Sequence, residues 1–210
     1  MPLISRDELV AGLPPQAPVS PADVDAARAS AARRPVLVVL DDDPTGTQSV
    51  ADLPVLTAWE EADFDWALAT GSPAVYVMTN SRSLAPADAE RVNREVVASA
   101  LASAKRLGVE VDFVSRSDST LRGHFPLEPD TIAAALEKNG ERGVDGVVLV
   151  PAFPEAGRIT LRGIHYAGSA EAGYVPAAES EFAKDNTFGY AHSMIADWVE
   201  EKTGGRTPAG

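Results

Sequence analysis

Residues 36–48 read VLVVLDDDPTGTQ, and this stretch decides the fold. Its first five residues are all apolar and mostly β-branched, with no alternation between apolar and polar positions. A strand of this kind is buried on both faces, which is typical of a parallel sheet covered by helices. We therefore predict a buried strand over Val36–Leu40 that ends directly at three aspartates.

Outward from this strand, the sequence alternates between strand and helix patterns. Such alternation predicts an α/β fold, with an open, mainly parallel sheet, helices on both faces and ligand loops at the C-terminal ends of the strands. Serines at helix-capping positions begin two earlier helices, over 5–13 and from 20 to about 34. Further strands are predicted at Ala74–Met78, Val109–Val114 and Val144–Val150, and helices at Glu60–Ala69, Pro86–Leu107, Pro126–Asn139 and Tyr190–Lys202.

Length and composition narrow the class of protein. The 210 residues fit one larger domain, which we divide into a lead-in over 1–19, an α/β domain over 20–203 and a tail over 204–210. There is no cysteine, so disulfides and thiolate metal sites are excluded. The net charge of −13 argues against nucleic-acid and anionic-membrane partners. No signal peptide or membrane span is evident, and we expect a cytoplasmic protein.

Each predicted strand runs directly into a polar loop. The loops cover residues 41–48, 79–83, 115–124 and 151–158. Because ligands of open α/β sheets bind at the carboxyl ends of the strands, four such loops at one edge predict a binding site.

The aspartate triplet begins the first loop. Three adjacent carboxylates repel one another, so a cation, arginines or backbone amides must stabilise them. One alternative is that a single aspartate caps the next element while the others are solvated. The functional alternative makes Asp42 and Asp43 catalytic and Asp41 a ligand contact, with Thr45 and Gly46 in a turn whose N–H groups face the ligand.

Arginine is the second signal, because four arginines lie in three of these loops on a strongly acidic chain. A guanidinium group pairs with a carboxylate or phosphate at two points, which predicts a pocket for an anionic, hydroxylated small molecule. The alternative is that the arginines only neutralise the aspartates. We interpret the three histidines as ordinary polar residues, since none has ligand-like spacing. The candidate ligand contacts are Arg82, Arg116, Arg122 and Arg158, together with Ser81, Asp118, Ser119 and Thr120, for which helix capping is the alternative role.

Five segments, in order, resemble the four-carbon acid sugar kinase family. They are DDDPTGTQSV (41–50), TNSRSL (79–84), SRSDSTLRG (115–123), VPAFPEAGRIT (150–160) and FAKDNTFGY (182–190). The resemblance is to the N-terminal, sugar-acid-binding lobe of kinases that phosphorylate threonate, erythronate or 3-oxo-tetronate. It implies that Asp43, with Asp42, contacts the reacting hydroxyl and that Arg82 holds the acid group, while residues 118–120 bind the rest of the polyol.

The same resemblance implies a second, C-terminal lobe that binds ATP and Mg²⁺. We predict no cofactor or metal bound tightly to this chain, and we expect the chain to be inactive without the second lobe. The expected partners are that lobe, a small sugar acid and a possible second copy of the chain. Family members often have Lys at Arg116 and Asn at His124, so the identity of the acid stays open. Two alternatives remain: a phosphatase of the haloacid dehalogenase type using Asp41 and Asp43, and a non-catalytic sugar-acid-binding remnant.

Overall fold

A computed structural model describes residues 3–210 and contains two sheets. The larger sheet is parallel, with strand order β2-β3-β1-β4. The α/β class and the parallel sheet are confirmed. Its strands are β1 (Val36–Asp41), β2 (Val55–Leu56), β3 (Ala74–Met78) and β4 (Val111–Arg116).

Three helices pack side by side on the larger sheet: α3 (Glu61–Ala69), α4 (Pro86–Leu107) and α5 (Leu127–Lys138). They bury the face of the sheet that carries Val38 and Val75. Each such fully buried apolar side chain stabilises the fold by about 1.5–3 kcal/mol. This packing fixes the carboxyl ends of β1, β3 and β4 at one edge. On the opposite face Leu37 and Val114 are more than a third exposed.

The second sheet is antiparallel and was not predicted. Its strands are β5 (Arg158–Leu161), β6 (Ile164–Ser169) and β7 (Gly173–Pro176). The β5–β6 hairpin turns through Arg162 and Gly163, both at positive φ. Because Arg-Gly is not one of the residue pairs that typically signal such a turn, the hairpin is hard to recognise in the sequence.

The remaining helices lie near the chain ends: α1 (Arg6–Val10), α2 (Pro21–Ser30) and α6 (Ile195–Lys202). Ser5 and Ser20 cap α1 and α2 as predicted. Leu9 packs on Tyr166 and Tyr174 of the antiparallel sheet, so the first turns of the chain contact the second sheet.

The predicted strand at Val144–Val150 is wrong. These residues form no strand, and Val148 is 89% exposed. An open cavity of about 810 Å³ is lined by both this run and β4. β-branched residues favour extended backbone, but a strand also needs a neighbour to accept and donate its backbone hydrogen bonds. The run makes no backbone–backbone hydrogen bond to any part of the chain that the structure describes.

No helix within residues 3–210 combines the length and the apolar character needed to cross a bilayer. The cytoplasmic location expected from the sequence stays a prediction.

Candidate functional site

The carboxyl ends of β1 and β3 and the loop after β4 border one cleft of about 500 Å³, which we call the strand-end cleft. Residues of the 185–188 loop close its outer side. The predicted site residues that line it are Asp42, Asp43, Arg82 and Arg122.

Arg82 enters the cleft because of the backbone geometry after β3. Asn80 adopts φ 51° and ψ 27°, a left-handed conformation that asparagine tolerates better than most residues. The chain then makes a single 3₁₀ turn over Ser81–Ser83. Within it, the Arg82 N–H donates to the Asp42 carbonyl at 3.2 Å, which fixes this loop to the end of β1.

Arg82 and Asp42 form a two-point ion pair. Nη2 lies 2.6 Å from Oδ1 and Nε lies 3.1 Å from Oδ2. The Asp42 side chain is 1% exposed, and its Oδ2 also accepts a hydrogen bond from Ser117 Oγ at 2.6 Å. Because both carboxylate oxygens are occupied, the geometry makes Asp42 the residue that holds Arg82 in place.

Asp43 is the most exposed aspartate of the triplet. Its Oδ1 accepts hydrogen bonds from the Thr45 N–H at 2.8 Å and the Thr45 hydroxyl at 2.5 Å, and its Oδ2 accepts from Arg82 Nη1 at 3.0 Å. These Thr45 hydrogen bonds, together with the Arg82 charge, lower the pKa of Asp43 although burial partly opposes them. Asp43 is therefore ionised at neutral pH and able to accept a hydrogen bond from a ligand hydroxyl.

Asp41 lies behind the cleft and is fully buried. Its Oδ1 accepts from Arg116 Nη1 at 3.0 Å, while its Oδ2 has no hydrogen-bond partner among residues 3–210. Burial raises the pKa of Asp41, and the Arg116 charge only partly offsets this. Gly46 packs directly on this carboxylate, and a Cβ at that position would overlap it, so the turn requires glycine.

Arg122 forms the other side of the cleft. Its Nε donates to Asp118 Oδ2 at 2.7 Å, and its Nη1 lies 3.8 Å from Asp185 Oδ2. Burial tends to raise the pKa of Asp118, but hydrogen bonds from Thr120 and the charges of Arg122 and Arg82 lower it by more. Within the described residues Nη1 of Arg122 donates no hydrogen bond, so this nitrogen is available to a ligand.

Arg158 differs from the other three loop arginines. Its guanidinium lies over the Phe182 ring, 5.0 Å from the centroid, and makes no ion pair with any residue that the structure describes. Arg122 lies over the same ring at 5.2 Å, so Phe182 connects Arg158 to the wall of the cleft without placing it in the lining. The arginines that do neutralise aspartates are Arg82, Arg116 and Arg122.

Three of the predicted ligand contacts, Ser81, Ser119 and Thr120, stabilise the loops and do not line the cleft. Ser81 and Thr120 are at most 1% exposed, and their hydroxyls donate to Glu128 and Asp118 respectively. Ser119 contributes its backbone carbonyl, which accepts a hydrogen bond from a buried histidine.

That histidine is His165 of β6, to which the structure gives a larger role than the sequence indicates. Its Nε2 lies 2.7 Å from the Ser119 carbonyl and its Nδ1 lies 2.9 Å from Thr160 Oγ1. The side chain is fully buried, and burial lowers its pKa against the opposing effect of the Ser119 carbonyl. His165 thus ties the antiparallel sheet to the loop that carries Asp118 and Arg122.

We expect His165 to make the stability of the protein depend on pH. The imidazole is neutral in the fold, so below about pH 6.5, the ordinary pKa, the unfolded chain binds the proton more readily than the folded one. The free energy of unfolding therefore falls as the pH drops from about 6.5 toward the folded pKa, and the fall ends once both states bind the proton. Between about pH 7.5 and 5.5, the free energy of unfolding measured in urea should fall less in His165→Gln than in the wild type. Equal decreases in both proteins would contradict this assignment.

Several residues of the cleft were missed in the sequence. The signal was present, because all but Pro44 lie inside the TNSRSL and FAKDNTFGY segments, yet neither segment shows which side chains face inward. Asp185, for example, accepts hydrogen bonds from the Thr187 and Phe188 N–H groups at 2.8 and 2.9 Å, which shape the outer wall. The residues missed are Pro44, Asn80, Ser83, Asp185, Thr187 and Phe188.

The geometry does not suit the phosphatase alternative. That chemistry requires the first aspartate, Asp41, to attack a phosphorus atom directly. The Asp41 carboxylate is fully buried beneath Gly46 and paired with Arg116, so it does not reach the cleft.

A parallel sheet whose strand-end loops gather arginines and a partly exposed aspartate defines an α/β domain with a cleft suited to a small, polar, charged ligand. Comparison with known proteins supports this class of domain. The chain belongs to the family of sugar-binding N-terminal domains, whose model matches residues 37–209. The resemblance drawn from the five sequence segments is confirmed.

Two relatives are kinases of four-carbon sugar acids. A D-erythronate kinase of Heliobacterium modesticaldum is 29% identical over 170 residues, covering 78% of this chain and 35% of the relative. A D-threonate kinase of Bordetella bronchiseptica is 34% identical over 162 residues, covering 72% of this chain and 36% of the relative. The chain thus spans about a third of the length of these curated relatives.

Solved structures show the same fold. A domain of unknown function from Bordetella bronchiseptica, crystallised with bound citrate as a domain-swapped dimer, has a TM-score of 0.58 and 29% identity, and the match covers 79% of this chain and 40% of that one. A putative tRNA synthase from Salmonella typhimurium matches with a TM-score of 0.55 at 21% identity, covering 79% and 38% of the two chains. The second similarity concerns the fold alone.

Proposed function

We propose that this chain is the substrate-binding domain of an ATP-dependent kinase that phosphorylates a four-carbon sugar acid of the threonate, erythronate or 3-oxo-tetronate type. The observation that carries the proposal is the strand-end cleft, a space suited to a small molecule whose lining includes Arg82, Arg122, Asp43 and Asp185. The activities of the two kinase relatives support the choice of substrate class.

The carboxylate of the acid binds on the Arg122 side of the cleft. Most donors of Arg82 are taken by Asp42 and Asp43, whereas Nη1 of Arg122 donates no hydrogen bond within the described residues and lies 3.8 Å from Asp185 Oδ2. Arg82 adds positive charge beside this site and orients the aspartates. Both arginines therefore favour an anion in a chain that carries a net charge of −13.

The hydroxyls of the acid bind on the Asp43 side. An ionised carboxylate only accepts hydrogen bonds, so Asp43 orients a hydroxyl and takes up its proton during phosphoryl transfer. The lowered pKa of Asp43 makes it a weak base, which suits a transfer in which orientation of the nucleophile matters more than early proton removal. Asp42 supports this residue indirectly by fixing Arg82.

No three acidic or histidine side chains of residues 3–210 are grouped to hold a metal ion, and Asp42 and Asp118 are paired with arginines. We assign ATP and Mg²⁺ to a nucleotide-binding lobe corresponding to the part of the kinase relatives that this chain does not match. A homodimer is a further possibility, supported by the domain-swapped dimer of the Bordetella structure.

A thermal-shift screen of the 210-residue chain tests the proposal. A ligand that binds only the folded state raises the apparent stability, so D-threonate or D-erythronate at about 100 times its Kd should stabilise the chain by about 2.7 kcal/mol. The chain alone should turn over no ATP. The absence of any shift with all tetronates tested would contradict the substrate class, and ATP-dependent phosphorylation by the isolated chain would contradict the assignment of the nucleotide site.

A further inference from the structure

A buried carboxylate lies beneath the strand-end cleft and has no part in the proposed chemistry. Glu128, in the first turn of α5, is 3% exposed. Its Oε1 accepts hydrogen bonds from Ser81 Oγ and from Asn93 Nδ2 at 3.3 Å, and its Oε2 accepts from Ser115 Oγ at 3.2 Å. The three donors come from the loop after β3, from α4 and from β4, so one side chain connects four elements.

The same network reaches the end of β1. Ser81 Oγ lies 3.1 Å from Thr79 Oγ1, and Thr79 Oγ1 donates to the Asp41 carbonyl at 2.8 Å. Ser81 directly precedes Arg82, whose guanidinium pairs with Asp42. A movement of the Ser81 side chain therefore moves Arg82 relative to its aspartates.

Packing alone does not require a carboxylate at this position. Burial raises the pKa of Glu128, the nearby Asp42 charge adds to the effect, and hydrogen bonds from Ser81 and Asn93 together with the charge of His124 oppose it. An apolar side chain of similar volume would fill the space without the cost of removing a charge from water. What an apolar residue would not do is accept three hydrogen bonds from three separate elements.

We propose that Glu128 is a positioning residue for the strand-end cleft. Through Ser81 it holds Arg82 against Asp42 and Asp43, and through Ser115 it holds the end of β4. The consequence for ligand affinity rests on the proposed function, but the placement of Arg82 is measurable without any ligand.

The variant Glu128→Met tests this proposal, because it nearly keeps the size of the side chain and removes both accepting oxygens, including the one that accepts from Ser81. In the wild type the Arg82 Nε–H donates to Asp42, so its NMR signal should exchange slowly with water. In the variant we expect this exchange to become about tenfold faster and the Kd for D-threonate to rise about tenfold. Ser81→Ala, which breaks the connection and keeps Glu128, should accelerate the Arg82 exchange in the same way.

Ser103→Ala is the matched control. Ser103 is a fully buried serine like Ser81, but it lies in α4 and its hydroxyl donates to the Glu61 carbonyl at 2.9 Å, on the side facing α3. The Ser103→Ala variant should have a lower unfolding temperature than the wild type, with the Arg82 exchange rate and the Kd for D-threonate unchanged.

An Arg82 exchange rate that stays unchanged in both Glu128→Met and Ser81→Ala, as in Ser103→Ala, would reduce Glu128 to a purely structural role and overturn the proposal. If the wild type binds no tetronate, the proposed function fails, and the Arg82 exchange alone decides the role of Glu128. Were Glu128→Met not to fold, Ser81→Ala would decide the role of Glu128 by the same exchange measurement.

Discussion

Arg82→Met should abolish measurable tetronate binding and lower the free energy of unfolding by about 3 kcal/mol, the effect expected when a buried carboxylate loses its partner. The Asp42 side chain is 1% exposed and relies on two nitrogens of Arg82. Methionine retains the apolar part of the side chain, so the loss reports on the guanidinium. Urea unfolding and titration calorimetry with D-threonate measure the two effects.

Arg91→Met is the control for this prediction. Arg91 is an exposed residue of α4 that pairs with Asp88 and Glu95 at 3.2 and 3.0 Å. Exposed pairs of this kind contribute about 0–1 kcal/mol, so this variant should bind and unfold almost as the wild type does. Equal stability losses in the two arginine variants would show that the Asp42–Arg82 pair is not the support that its geometry implies.

Substitution of two adjacent aspartates by asparagine should lower stability to different extents. Asp42→Asn removes a buried charge that Arg82 and Ser117 surround, so we expect a stability loss of about 3 kcal/mol. Asp43→Asn keeps an oxygen that accepts the Thr45 hydrogen bonds, so its stability loss should stay near 1 kcal/mol. Its tetronate affinity should fall about tenfold, because a charge-assisted hydrogen bond to the ligand hydroxyl is lost.

Each of these two variants serves as the control for the other. Urea unfolding and calorimetry on both proteins, at the same pH and salt concentration, give the comparison. A large stability loss in Asp43→Asn together with a small one in Asp42→Asn would reverse the roles assigned here to the buried and the exposed aspartate.

The parallel sheet was predictable because its signal is local. A continuous apolar run such as Val36–Leu40 is typical of a buried parallel strand, and the structure places β1 there. The same criterion failed at Val144–Val150, where the composition is right but no neighbouring strand pairs with the run. Strand formation depends on a partner that a one-dimensional pattern does not identify.

The loops that form the cleft were also predictable, but the roles within them were not. Three consecutive aspartates look equivalent in the sequence, yet Asp41 and Asp42 are buried on different arginines and Asp43 is partly exposed. The difference arises from contacts with distant residues such as Arg82, 40 positions after Asp42. Glu128 and His165 were overlooked for the same reason, because their partners lie 47 and 46 residues away.

The central claim is that the strand-end cleft binds a four-carbon sugar acid, and an NMR titration of the ¹⁵N-labelled chain with D-threonate and D-erythronate tests it most directly. We expect saturable shifts of the Arg82 and Arg122 Nε–H signals and of the Asp43 and Thr187 amides, with a Kd in the range of about 1 μM–1 mM that is usual for metabolic substrates. Signals of α2 should stay unchanged. A folded chain whose cleft signals do not shift during the titration would contradict this claim. Shifts confined to residues that line the cavity beside β4 would contradict it as well.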